Sequence, residues 1–301
     1  MQLLLWAVTS VLITHTNLAL STDEHRAIKS ELSEPIILQL KNGNRISGHA
    51  IETSEDQIQI ATAEGAGEII YTFQGEDIQT IAIPGESYKS LATEWIHTGR
   101  HEDALSLMSM LYAQRSPLLP FLPASESHFF TYYVDLVLDS PKPARAIAII
   151  QTLRPQIENP DALRALEDST LESYQTLELY DEAIPLAENW VASRKPFSES
   201  ALGYYVLGAA RLRSEAYEEA LDLALRPIVF ASPIPTDKLT ECYAVAIAAA
   251  LGLRERVYAA TLYQEMQARG FVWPADDRSL QPTLKEITEY IKDHEDTPES
   301  P

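Results

Sequence analysis

One short phrase recurs along this chain with a spacing of 37 residues. Its alanines are Ala146, Ala183 and Ala220, and each of them directly precedes an isoleucine or a leucine. An earlier copy is centred on Ala104, which lies 42 residues before the first of these. A constant period in this range is typical of stacked helical hairpins, because each hairpin buries its apolar face only against its neighbours. The spacing therefore predicts a helical repeat array over the larger part of the chain.

Apolar periodicity and the positions of the prolines predict where the helices of this array begin and end. The array is expected over residues 85–293, so the chain should be mainly α-helical. The predicted helical pairs are 86–98 with 102–115, 125–139 with 143–157, 161–178 with 181–194, 198–214 with 217–231, and 236–251 with 255–269. A last helix is predicted at 278–293.

Residues 34–84 follow a different pattern, in which apolar and polar residues alternate with a period of two. Asn42-Gly43 within this segment is a strong short-range signal for a β-hairpin. The predicted strands are 36–40, 45–52, 57–62, 68–73 and 77–83. Five short strands joined by tight turns predict a small all-β domain, either a barrel or a strongly bent sheet.

Four short motifs carry a resemblance of this β segment to a known class of domain. They are Leu38-x-Leu40-Lys41-Asn42-Gly43, Ile46-x-Gly48, Ile58-x-Ile60 and Asp77-Ile78-x-x-Ile81. The segment resembles the small SH3-like and Sm-like barrels near the start of some exported bacterial proteins. Sm-like proteins often bind RNA, but residues 33–84 carry eight acidic residues against one lysine and one arginine. That charge balance opposes phosphate binding.

The helical repeats resemble a family through two units of the array. In the unit 201–234 the matching residues are Tyr204, Leu207, Gly208, Tyr217, Ala220 and Pro233. In the unit that begins near Gly85 they are Tyr88, Leu91, Ala92, Trp95, Gly99, Ala104 and Met108. The array is similar to the tetratricopeptide repeat (TPR) family. This resemblance implies a right-handed α-solenoid of helical hairpins, placed behind the small barrel-like domain.

Members of the TPR family present a concave surface, lined by the first helix of each pair, to a peptide or another protein. The resemblance implies a groove lined by Lys89, Thr93, His97, Asp135, Asp168, Glu172, Tyr205, Ala209 and Arg213. Three carboxylates make the middle of this groove acidic, so a basic peptide or a patch of lysines and arginines is the sharper hypothesis for the partner. The alternative is that these residues form solvated faces without a fixed ligand.

The net charge of the chain is −21, with 44 acidic against 23 basic residues. Such a chain lacks the basic surface that nucleic acid or an anionic membrane requires, so neither is an expected partner. Cys242 is the single cysteine, which excludes an internal disulfide and is typical of a small buried side chain. No cofactor is predicted.

The first 21 residues have the apolar run and the small residues, Ala19 and Ser21, that are typical of a cleaved export signal. An uncleaved anchor or a buried first helix is the alternative. Residues 22–33 should form a linker or a frayed helix, and the acidic tail 294–301 should be disordered. No later segment has the pattern of a membrane span. These features predict an exported bacterial protein, periplasmic or secreted, without stable membrane insertion.

The sequence contains no motif that demands catalysis. His97 and His101 have the spacing of metal ligands on a helix, with Glu102 adjacent, but Gly99 lies between them at a predicted turn. We therefore predict no metal site and no enzymatic activity.

The expected function is that of an exported, non-catalytic adaptor that binds a protein partner. The alternatives are an enzyme with a site between barrel and array, where these three residues are the candidates, and a structural subunit of an envelope assembly. The oligomeric state stays open.

Overall fold

The computed structural model describes residues 21–64, 67–194, 200–230, 237–275 and 278–295. These residues are mainly helical, with twelve α-helices and one small N-terminal antiparallel sheet of five strands. The predicted export signal lies outside the described residues except for Ser21, and residues 296–301 of the predicted tail also lie outside them.

The strands agree with their predicted positions to within two residues. They are β1 (Ile36–Leu40), β2 (Arg45–Thr53), β3 (Gln57–Glu64), β4 (Gly67–Gln74) and β5 (Ile78–Ala82). All neighbours are antiparallel, in the order β4-β3-β2-β1-β5. Strands β4 and β5 are therefore the two edges of the sheet.

The sheet is strongly bent because β2 changes partner in its middle. Its first half, up to Gly48, pairs with β1, and its second half, from His49, pairs with β3. A side chain at position 48 would meet the carbonyl oxygen of Ala61 at 2.3 Å, so the close approach at the bend needs a glycine. The buried inner face of the sheet is completed by Leu118 from the 3₁₀ segment Ser116–Phe121.

The helices also agree with the predicted pairs to within a few residues. Helix α1 (Thr22–Leu32) precedes the sheet, so segment 22–33 is a helix rather than a linker. The others are α2 (Ser87–His97), α3 (His101–Arg115), α4 (Ser127–Leu138), α5 (Ala144–Leu153), α6 (Pro160–Thr176), α7 (Tyr180–Ser193), α8 (Leu202–Arg213), α9 (Tyr217–Phe230), α10 (Leu239–Gly252), α11 (Arg256–Ala268) and α12 (Gln281–Glu295).

The chain divides by its contacts into two compact units. The first contains Met1–Leu136 and Leu153–Ala162, and the second contains Val137–Thr152 and Leu163–Pro301. In the first unit, α1 docks against the helices that follow the sheet. The hydroxyl of Tyr88 donates a hydrogen bond of 2.6 Å to Glu31, and the Gln114 amide donates one of 2.7 Å to the carbonyl oxygen of Leu32.

The alanines of the repeated phrase all lie in the core. Ala104, Ala146, Ala183 and Ala220 have no exposed surface. In the second unit, a side chain on Gly208 would meet Val245 of α10 at 3.2 Å and the carbonyl oxygen of Ala220 at 3.6 Å. Small residues at these places thus allow α8 to pack closely against both α9 and α10.

Four helical hairpins share one turn geometry. The residue five positions before the buried alanine of the second helix has a left-handed backbone: Gly99, Glu178, Glu215 and Arg254, with φ between 55° and 81°. In each turn, the next residue donates its backbone N–H to the carbonyl oxygen five residues earlier, at 2.7 to 3.0 Å. This is the Schellman arrangement that ends a helix and satisfies its last carbonyl groups. The repeat therefore extends to the backbone of the turns.

Candidate functional site

The predicted groove residues are divided between the two units. Lys89, Thr93, His97 and Asp135 belong to the first unit, and Asp168, Glu172, Tyr205, Ala209 and Arg213 belong to the second.

In the first unit, Lys89 belongs to a network of four charged side chains. Its ammonium lies 2.8 Å from Glu86 and 2.6 Å from Glu126, and the Arg115 guanidinium binds the same two carboxylates at 2.7 and 3.0 Å. Both cations lie over the ring of Phe129, within 6 Å of its centre. Burial raises the pKa of Glu86, but the two cations outweigh this effect and hold the pKa below its usual range. Lys89 is thus fixed by partners within its own unit.

The other three groove residues of the first unit lie nearer to solvent. Thr93 is half-buried and donates its hydroxyl hydrogen to the carbonyl oxygen of Lys89, while His97 and Asp135 are exposed. His97 is the last residue of α2 and His101 the first of α3, and Gly99 lies in the turn between these two helices. The candidate ligands at spacing four therefore do not share a helix.

In the second unit, Asp168 on α6 accepts hydrogen bonds from its own hairpin. The Trp190 indole donates one of 2.6 Å, and Arg194 donates two, of 2.7 and 3.3 Å. Burial raises the pKa of Asp168, and these donors offset the effect only in part. Its side chain keeps 35 % of its surface exposed, so a partner can still reach it.

One turn further along α6, Glu172 forms an ion pair with a residue from a distant part of the chain. The ammonium of Lys238, directly before α10, lies 2.7 Å from the Glu172 carboxylate. Asp237 and Glu241 flank this lysine in sequence. We call Glu172, Asp237, Lys238 and Glu241 the carboxylate cluster. Within the described part of the chain, Glu172 is the carboxylate in ion-pair contact with Lys238, and Asp237 accepts a hydrogen bond of 3.1 Å from the Ser200 hydroxyl.

The charges of the carboxylate cluster shift one another's titration. Burial raises the pKa of Glu241, and the nearby Asp237 and Glu172 also raise it, against the attraction of Lys238. Burial lowers the pKa of Lys238, but the three carboxylates outweigh this effect, so its pKa lies above the usual value. The lysine therefore stays charged at neutral pH.

Tyr205 and Ala209, predicted to face the groove, lie in the core of the second unit. They are 7 % and 9 % exposed, because α8 packs against α7, α9 and α10 and buries every residue from Leu202 to Ala210. The Tyr205 hydroxyl accepts a hydrogen bond of 3.4 Å from the Gln175 amide of α6.

Arg213 lies at the exposed end of α8. Its guanidinium is 2.6 Å from the Glu178 carboxylate and lies over the ring of Tyr180. It thus ties the end of α8 to the turn between α6 and α7.

A second acidic surface of this unit is a pocket of about 430 Å³ formed by α7, α8 and α9. It is lined by Glu188, Leu207, Arg211, Glu218, Glu219, Asp222 and Leu223. Arg211 is the one cation of the lining, and it lies 3.1 Å from Glu219. Asp222 pairs with Arg226 at 2.6 Å, and Glu188 and Glu218 are the remaining carboxylates of the lining.

Sequence reasoning missed Lys238 and Glu241. Lys238 meets Glu172 from 66 positions away, and it directly precedes α10, although the predicted helix 236–251 had included it. The acidic neighbours of Lys238 are visible in the sequence, but their approach to α6 depends on how the hairpins stack.

Two general features of the described residues bear on the site. Within the described ranges, no group of three or more His, Cys, Asp or Glu side chains is placed to hold a metal ion. The helices of the same ranges include none with the length and apolar character needed to cross a bilayer.

Comparison of the chain with protein-family models finds no match. Comparison with curated proteins likewise finds none.

Proposed function

We propose that this protein is an exported, non-catalytic adaptor whose TPR-like helical array binds a basic protein or peptide. The observation that carries the proposal is the carboxylate cluster, in which Glu172 lies 2.7 Å from the Lys238 ammonium and Asp237 and Glu241 lie close enough to raise the pKa of this lysine. A lysine or arginine side chain from a partner would be attracted to these carboxylates.

The repetition of the hairpins supports the array as the binding element. Four hairpins repeat both the buried alanine and the left-handed turn, a regularity expected of a right-handed TPR-like solenoid. Repeat arrays of this kind usually bind other proteins through extended surfaces. The acidic pocket formed by α7, α8 and α9 adds a second place where a cationic side chain fits.

The test is crosslinking in intact cells, followed by affinity purification of the tagged protein and identification of what is recovered. We expect a reproducible extracytoplasmic partner with the wild-type chain and its loss with the double variant Glu172→Gln, Glu241→Gln. The matched control is Glu182→Gln, which makes the same change at an exposed position of α7. Equal recovery with the double variant contradicts the proposed site, and recovery of cytoplasmic proteins alone contradicts export.

Thermal unfolding of the double variant checks that loss of the partner is not caused by unfolding, because Glu172→Gln removes the ion-pair partner of Lys238. Burying the charged Glu241 carboxylate destabilises the fold. The single variant Glu241→Gln has no such charge, so it should melt at a higher temperature than the wild type at neutral pH. A variant that is more stable but no longer recovers the partner indicates that the charge is retained for binding.

A further inference from the structure

In the part of the chain that the structure describes, β4 is an edge strand without the usual protection against pairing with another chain. It has eight residues, contains no proline and carries one charged residue, Glu68. Its register with β3 runs without interruption from Gln57↔Gln74 to Glu64↔Gly67. Natural proteins blunt exposed edges with bulges, prolines, lysines or short strands, because a long regular edge is a template for a further strand.

The opposite edge of the same sheet shows these protective features. Strand β5 has five residues, and its pairing with β1 contains a register shift between Gln39 and Leu40. It also packs against the 3₁₀ segment Ser116–Phe121. Among the described residues, β4 is thus the edge that stays regular and long.

The side chains of β4 make this edge apolar on both faces of the sheet. Ile69 is 40 % exposed and Ile70 is 56 % exposed, and adjacent residues of a strand point to opposite faces. An added strand would therefore cover apolar surface on either face as well as satisfy the backbone.

The ladder also shows which backbone groups of β4 point outward. Gly75 donates its N–H to the carbonyl oxygen of Asp56 at 2.7 Å. Because hydrogen-bonded and non-hydrogen-bonded pairs alternate in an antiparallel ladder, Tyr71 and Phe73 bond to β3. The N–H and C=O groups of Ile70 and Thr72 therefore point away from the sheet.

We propose that β4 pairs with β4 of a second copy of this chain, antiparallel and about a two-fold axis at Tyr71. This register places Ile70 opposite Thr72 of the second copy, Ile69 opposite Phe73, and Glu68 opposite Gln74, so no like charges face each other. A basic partner strand would place its cations against isoleucines, whereas β4 itself carries one charged residue, Glu68, which this register places opposite Gln74.

The two-fold arrangement predicts a closed dimer. An interface formed by β4 of both copies leaves neither β4 edge free, so the assembly stops at two copies. Pairing of β4 with β5 of another copy would instead generate open polymers. The short, interrupted β5 disfavours the second arrangement. This self-association is independent of the basic partner proposed for the helical array.

The experiment is sedimentation velocity of the full chain from micromolar to hundred-micromolar concentration, at low and high salt. We expect a reversible transition from 33.6 kDa to twice that mass. The dimer should be favoured by high salt, because each copy carries a charge of −21 and salt screens their repulsion. Binding of a basic partner has the opposite salt dependence.

Two variants test the strand itself. Thr72→Pro removes an outward N–H that the sheet does not use, and Ile70→Lys places a charge at the exposed edge. Each should raise the dissociation constant of the dimer by about tenfold or more. The matched control is Val257→Lys on α11, where the valine is 72 % exposed, and it should leave the constant unchanged.

Hydrogen exchange of the wild-type chain makes the result independent of how the variants fold. The amides of residues 67–74 should exchange more slowly as concentration rises, while those of β5 should not change. A chain that is monomeric at every concentration overturns the proposal. A dimer without protection of β4 also overturns it, and so do polymers that lengthen with concentration.

Discussion

At the scale of single residues, Arg115 is a charged side chain that tertiary packing buries almost completely. It is 2 % exposed, and two carboxylates, Glu86 and Glu126, surround its guanidinium. Arg226 has the same chemistry, with Asp222 at 2.6 Å, but half of its side chain lies in solvent. Removal of Arg115 takes away buried charge-assisted hydrogen bonds to two carboxylates, of which Glu126 is 17 % exposed and Glu86 is 68 % exposed. An exposed pair such as Arg226 with Asp222 exchanges its partner for water.

We therefore expect Arg115→Ala to lower the free energy of unfolding by about 1.5–3 kcal/mol, because Glu126 keeps Lys89 as its partner and Glu86 is solvated. The control Arg226→Ala should lower it by less than about 0.5 kcal/mol, because its ion pair is exposed. Chemical denaturation followed by circular dichroism measures both. Equal losses for the two variants would show that burial does not set the value of these ion pairs.

Ser21 contributes to stability through the cap of α1. Its hydroxyl accepts a hydrogen bond from the N–H of Glu24, and its own N–H donates to the Glu24 carboxylate. Ser21→Ala should destabilise the start of α1 by about 1 kcal/mol. Hydrogen exchange of residues 22–32 measures the effect, with the same residues of the wild-type chain as the comparison. A cut after Ser21 would remove the same cap, so a chain that starts at Thr22 should show the same faster exchange.

At the scale of elements, the turns between paired helices repeat more strictly than their sequences do. The left-handed position is a glycine in the first hairpin only, and glutamate or arginine occupies it in the other three. A residue with a side chain pays about 1–2 kcal/mol for this conformation, because its Cβ approaches the following carbonyl oxygen. The tertiary packing of the hairpins therefore holds these three residues against their own preference.

Glu215→Gly should for this reason stabilise the protein by about 0.5–1 kcal/mol, since glycine adopts the left-handed region without strain. Glu215 is exposed, so the change removes little else. Gly99→Ala is the reciprocal variant and should destabilise, because a Cβ there meets no neighbour and the cost is that of the backbone alone. Thermal unfolding measures both, and a destabilised Glu215→Gly would contradict this view of the turns.

At the scale of the whole molecule, the excess of acidic residues makes stability depend on pH in two opposite ways. Asp168 and Glu241 have raised pKa values, so the stability linked to them is present below their unfolded pKa and lost as pH rises. Glu86 has a lowered pKa, so its contribution is present at neutral pH and lost only as pH falls below 4.5.

Glu241→Gln isolates the first of these effects. The variant should melt at a higher temperature than the wild type at pH 7, and the difference should vanish as pH approaches 4.5, where the wild-type carboxyl is protonated. Glu182→Gln serves as control, because it changes the net charge equally from an exposed position. A difference that is constant with pH would show that burial of the Glu241 charge does not destabilise the fold.

The sequence alone determined which segments form strands and which form helices, because both follow from patterns that are local in the chain. Asn42-Gly43 and the alternation around it predicted the sheet, and the recurring alanines predicted which side of each second helix is buried. Tertiary structure decided the electrostatic partners: Lys89 binds Glu126 from 37 positions away, and Glu172 binds Lys238 from 66. It also buried Tyr205, which the resemblance placed in a groove. Periodicity fixes the face of a helix, but only the stacking of hairpins decides which charges meet and which remain exposed.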